Sequence, residues 1–175
     1  MTDRHLVWAS VTAGLLAGAG FVVGFFDPAY YKPVTAFDYF GSVLNDLGLV
    51  GAGVALIIWW RITPVRSSAP LVLGAGIGLA LWAVGNVLEE LIGVPLGETI
   101  YFVGGVGAFG LSAAAGAVTL FAQSRWRWSG LILLSISVSI GFEVIPTAPV
   151  AWLVFAYLLS SGWFDTPSDA SDGSI

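Results

Sequence analysis

Apolar residues fill six stretches of the chain, at about residues 6–26, 40–60, 70–92, 99–122, 128–145 and 150–163, with polar or proline-containing breaks between them. The first four reach the roughly 20 residues that a helix needs to cross a ~30 Å hydrocarbon core. Inside that core each backbone N–H and C=O must find its partner within the segment, so such stretches fold as helices. The last two are shorter. Pro146 and Pro149 divide them and predict a tight helical hairpin rather than one continuous helix. The first stretch is a retained span rather than a cleaved leader, because its apolar run of about 21 residues exceeds the usual ~7–15 of a signal core. Only Arg4 gives that stretch a basic start.

The pattern predicts an all-α integral membrane protein, a compact bundle of about six transmembrane helices formed by residues 1–163 as one domain. Residues 164–175 carry Asp165, Asp169 and Asp172 without apolar periodicity, and are expected to form a disordered acidic tail.

Basic residues orient this bundle. Arg4 precedes the first span, Arg61 and Arg66 lie between the second and third, and Arg125 and Arg127 between the fourth and fifth. All of these segments fall on one side of a six-span topology, and the other side has only Lys32. The positive-inside rule then places both termini in the cytoplasm and the protein in the cell membrane. Aromatic residues mark the same boundaries, with Tyr30, Tyr31 and Tyr39 outside and Trp59, Trp60, Trp126 and Trp128 inside.

Small residues recur at four-residue spacing within the spans: Gly14/Gly18, Gly20/Gly24, Gly51/Ala55, Gly74/Gly78 and Gly110/Ala114. Helices in lipid associate by close van der Waals contact rather than by expelling water, so these pairs predict closely approaching backbones and no wide pore. An offset of 62 residues aligns the second span with the fourth, matching Tyr39-Phe40 with Tyr101-Phe102 and Gly48-Leu49 with Gly110-Leu111. Compositional bias also produces such matches.

Composition excludes several functions. Of 175 residues, 57% are hydrophobic and 10% charged, too few charges for a water-facing surface. The absence of cysteine removes disulfides, thiolate metal sites, iron–sulfur clusters and cysteine nucleophiles. The single histidine, His5, precedes the first span, which argues against an intramembrane haem or histidine metal site. No cofactor is expected. Without a basic patch, nucleic acid is not a partner.

The informative residues are the charges within spans, each costing about 2.5–3.5 kcal/mol at a helix centre. They are Asp46, Glu89, Glu90, Glu98 and Glu143, all in the outer half of the predicted topology. Asp46 lies roughly 9 Å inside the predicted second span. Trp82, Asn86, Glu89 and Glu90 recur at helical spacing along one face, and Ser135, Ser139 and Glu143 form a second stripe. Glu98 opens the fourth span, where the helix dipole favours a carboxylate. Glu89, Glu90 and Glu143 also lie close enough to span ends to meet headgroups, and serines in spans can bond back to their own helix.

Asp46, Asn86, Glu89, Glu90 and Glu143 therefore form the expected site, an outward-opening vestibule lined by the second, third and fifth spans. Carboxylates without a counter-charge suit protons or monovalent or divalent cations better than anions, which points to cation- or proton-linked transport. The alternative is a non-catalytic membrane subunit that packs against a second copy or another membrane protein through its glycine-rich faces. An intramembrane enzyme acting on a lipid or isoprenoid ranks below both, because no HExxH, GxSxG or paired-aspartate motif is present.

Overall fold

Six α-helices follow one another in the computed structural model, which describes residues 4–26, 33–122, 125–141 and 147–164. They are α1 (Arg4–Phe26), α2 (Ala36–Ile62), α3 (Ala69–Asn86), α4 (Leu96–Leu120), α5 (Ser129–Gly141) and α6 (Thr147–Ser160). A π-helical turn, Val87–Leu91, extends α3, and a 3-10 turn, Arg125–Trp128, precedes α5. Four helices are long and apolar enough to cross a membrane: α1, α2, α4, and α3 with its π turn. α5 and α6 have 13 and 14 residues. The fold is thus an all-α multi-pass membrane bundle of six helices, four of them of full crossing length. Lys32, Tyr30, Tyr31, Pro146 and the tail from residue 165 lie outside the described residues.

Local chemistry sets the helix ends. α2 begins four residues before the predicted span because Thr35 and Asp38 form a capping box. The Asp38 carboxylate accepts from the N–H groups of Val34 and Thr35 at 2.8 and 2.7 Å, while the Asp38 N–H donates to the Thr35 hydroxyl at 3.2 Å. Asp46 therefore stands about 15 Å into α2, deeper than the apolar pattern alone implies.

At the end of the π turn, Gly93 adopts φ 76°. Its N–H donates to the Glu89 carbonyl at 3.1 Å, and that of Val94 donates to the Leu88 carbonyl at 2.7 Å. This paired closure on a left-handed glycine resembles a Schellman motif but is one residue wider, as the π turn before it requires. A Cβ on Gly93 would meet nothing within 4 Å, so alanine there carries only the backbone strain. Gly93→Ala should cost about 1 kcal/mol, seen as a modest drop in the thermal unfolding temperature of the purified protein in detergent.

Each helix packs antiparallel on its sequence neighbour, and α6 packs back on α1, so the six close into a ring in chain order. Small residues set these contacts. Gly48 and Gly51 of α2 face Ala17 and Ala13 of α1, while Gly53 and Gly76 bring the backbones of α2 and α3 together. Gly14 and Gly18 face Pro149 of α6. The α3–α4 interface is the most extensive, built on Gly78 and Gly85 of α3 against Gly97, Tyr101, Gly104 and Ala108 of α4. The Gly110/Ala114 pair differs from expectation. Gly110 has open space where a Cβ would be, and both residues are exposed on the outer face of α4.

An aromatic cluster fills the ring toward one end: Trp59 stacks on Phe155 at 4.1 Å, Trp152 meets Trp59 edge-on at 6.4 Å, and Phe164 packs on Phe155 at 5.8 Å. Phe164, where the tail was expected to start, is buried. The antiparallel register brings Arg4, Arg61, Arg66, Arg125 and Arg127 to this same end. Among the described residues, Asp38, Asp46, Glu89, Glu90 and Glu98 all lie in the opposite half.

Candidate functional site

The polar residues of α2 and α3 meet in two rungs. Ser42 and Asp46 are one helical turn apart on α2, and Asn86 and Glu90 are four residues apart across the junction of α3 and the π turn. Because the two helices are antiparallel, the pairs fall opposite one another. The Asn86 side-chain amide donates to Asp46 Oδ1 at 2.9 Å, and the Ser42 hydroxyl donates to Glu90 Oε2 at 2.6 Å. Ser42, Asp46 and Asn86 are 3, 5 and 6% exposed, so the ladder is enclosed by protein rather than turned to lipid. α1 packs beside it, with Gly20 against Asn45 and Gly48 against Ala17.

The π turn decides which of the paired glutamates joins the ladder. In a regular α-helix Glu89 and Glu90 would straddle Asn86, at about −60° and +40° around the axis. Here the Ile92 N–H reaches back five residues to the Val87 carbonyl at 3.1 Å, and the wider turn carries Glu90 over Asn86. Glu90 is half-buried and bonded to Ser42, whereas Glu89 is exposed and has left the shared face predicted for it. π turns of this kind recur at functional positions in helices.

One atom of the ladder has no partner. Asp46 Oδ2 is buried and accepts no hydrogen bond from any described residue; the Trp82 indole Nε1, one turn before Asn86 on α3, is likewise buried without an acceptor. α2 and α3 contain a single basic residue, Arg61, about 22 Å beyond Asp46 along the helix. A buried carboxylate oxygen is satisfied by a proton of its own, by water or by a bound cation. Among the described residues, no group of three or more His, Asp or Glu is arranged to hold a metal ion.

Of the expected site residues, Asp46, Asn86 and Glu90 are brought together and Glu89 is not. Glu143 lies outside the described residues. Glu98 is exposed in the first turn of α4, as its dipole position suggests. Within the α5 stripe, the Ser139 hydroxyl faces α6, and Ser135 meets α6 through its backbone carbonyl. The Thr147 hydroxyl donates to the Ser135 carbonyl at 3.0 Å and lies 3.1 Å from the Ser139 hydroxyl, which accepts from the Ala148 N–H at 2.9 Å. That stripe tethers the start of α6. A shallow cleft of about 230 Å³ opens between α3, α4 and α5, but its walls are Trp82, Tyr101, Phe102, Phe109 and their apolar neighbours, without Asp46 or Glu90.

Ser42 was absent from the expected site, although its signal was present. It precedes Asp46 by four residues and shares its face, but a serine in a glycine-rich span reads equally as a packing residue. Comparison with protein-family models, with characterised proteins and with solved structures found no match.

Proposed function

We propose that this multi-pass membrane protein performs proton-linked transport, with Asp46 as the proton-carrying group and Asn86, Glu90 and Ser42 holding it in place. The observation that carries this reading is the buried, unpartnered Oδ2 of Asp46, inside a helix bundle and remote from any described basic group. Glu90, one turn toward the acidic end, offers a second acceptor between Asp46 and that end. Protons suit the ladder better than a divalent cation, because its two carboxylates sit on separate rungs. In this reading all six helices cross, the arginine-rich end is cytoplasmic, and the acidic end opens outward.

Asp46→Asn tests it directly. The variant keeps the acceptor oxygen for Asn86 and nearly the same volume, so the bundle should fold, but it cannot take up or release a proton at this position. In proteoliposomes carrying an internal pH-sensitive dye, the wild-type protein should relax an imposed pH gradient and the variant should not. Equal relaxation by both proteins would remove the reading.

A second reading, a subunit that packs against another membrane protein, is favoured by one observation. Gly107 and Gly110 of α4 have open space beside them, and Ala114 continues the same outward seam. Such a seam admits close approach of a further helix.

A further inference from the structure

We infer that the 3-10 turn Arg125–Trp128, together with the end of α6, is a binding site for the headgroup of an anionic phospholipid. The turn is fixed rather than merely basic. Trp126 points inward and stacks on Phe164 at 4.6 Å, and Phe164 in turn packs on Phe155 of the core. The buried Ser129 hydroxyl donates to the Trp126 carbonyl at 2.7 Å, closing the turn onto the first residue of α5.

Anchoring Trp126 leaves its two neighbours projecting outward. Arg125 and Arg127 are both exposed, with their guanidinium carbons 5.7 Å from the ring centre of Trp163 and 4.9 Å from that of Trp128. The two tryptophans are themselves about half exposed, at 47 and 44%. Described carboxylates all lie in the opposite half of the bundle, so the hydrogen-bonding edges of these guanidinium groups are not taken up by one of them. A guanidinium beside an indole ring keeps its N–H fork for an oxyanion, and a phosphodiester is the oxyanion that a bilayer surface supplies. Tryptophan rings at the headgroup level supply the apolar-to-polar gradient that a glycerol backbone occupies.

Native mass spectrometry and thermal unfolding of the full chain in nanodiscs test the site. Discs of pure phosphatidylcholine are compared with discs containing phosphatidylglycerol. The wild-type protein should retain phosphatidylglycerol selectively and unfold at a higher temperature in its presence. R125Q/R127Q should weaken that retention roughly 25-fold, about fivefold for each arginine near an anionic surface. Equal retention of the two lipids by the wild-type protein would overturn the inference, and so would unchanged selectivity in R125Q/R127Q. If the double variant cannot be recovered, the wild-type comparison alone decides. Stabilisation reproduced in detergent by inorganic phosphate would also overturn the lipid assignment, showing an unspecific anion site.

Discussion

Alanine at Gly85 should disrupt the bundle, whereas alanine at Gly110 should leave it intact or slightly firmer. A Cβ on Gly85 would lie against the backbone N and Cα of Tyr101 and 2.8 Å from the Gly97 carbonyl oxygen. None of these atoms can turn aside as a side chain would, so α3 and α4 must separate along their most extensive contact. The expected loss is about 3 kcal/mol, at the upper end for overpacking a rigid contact. At Gly110 the same methyl meets nothing within 4 Å. There the change contributes only improved helix propensity, up to about 1 kcal/mol. Unfolding titrations in mixed detergent micelles would compare the two variants. Similar stabilities would refute the view that backbone approach between α3 and α4 holds the fold together.

The second large effect concerns the ladder. Asn86→Leu removes the donor that satisfies Asp46 Oδ1 and leaves both oxygens of a buried carboxyl without a protein partner. A loss of about 3 kcal/mol follows from stranding a charged or polar group in this way. The double variant Asp46→Leu/Asn86→Leu removes both partners and should recover much of that stability, while remaining inactive in proton movement. A double-mutant cycle would report this coupling. If the double variant is no more stable than Asn86→Leu alone, the rung does not bind the two helices in the way described. Stability and proton movement would part company in these variants only if the ladder exists for function rather than for folding.

How much of this was legible beforehand differs from element to element. The four helices of crossing length were, because about 20 consecutive apolar residues admit few other forms in a bilayer. The start of α2 was harder, since Thr35 and Asp38 lie in a polar segment that hydropathy treats as a break; only the cap spacing reveals it. The glycine pairs were read by spacing alone, which cannot distinguish Gly74/Gly78, packed against α4, from Gly110/Ala114, facing outward. Spacing reports that two residues share a face, never which face is covered.

For the site, Asp46 and Asn86 stood out because polar groups are expensive at that depth. That they bond each other required the antiparallel register of α2 and α3, which depends on the loop between them. The separation of Glu89 from Glu90 was hidden for a different reason. A π turn inserts a residue into the helical count, and a strict 3.6-residue period places both glutamates beside Asn86. The repeat suggested by the 62-residue offset does not duplicate the ladder, because Ala108 stands on α4 where α2 carries Asp46.

The closure of the ring by α6 on α1 bears on how the protein is made. Five of the six helix contacts join segments adjacent in the chain, so each can form as soon as its second helix leaves the ribosome. The remaining contact must wait for α6, since Pro149 and Leu153 are what Gly14 and Gly18 face. Until then α1 presents an open small-residue face to the bilayer, the kind of surface onto which another helix can settle. Among the described helices, closure of the ring therefore comes after the five neighbour contacts, when α6 docks on α1.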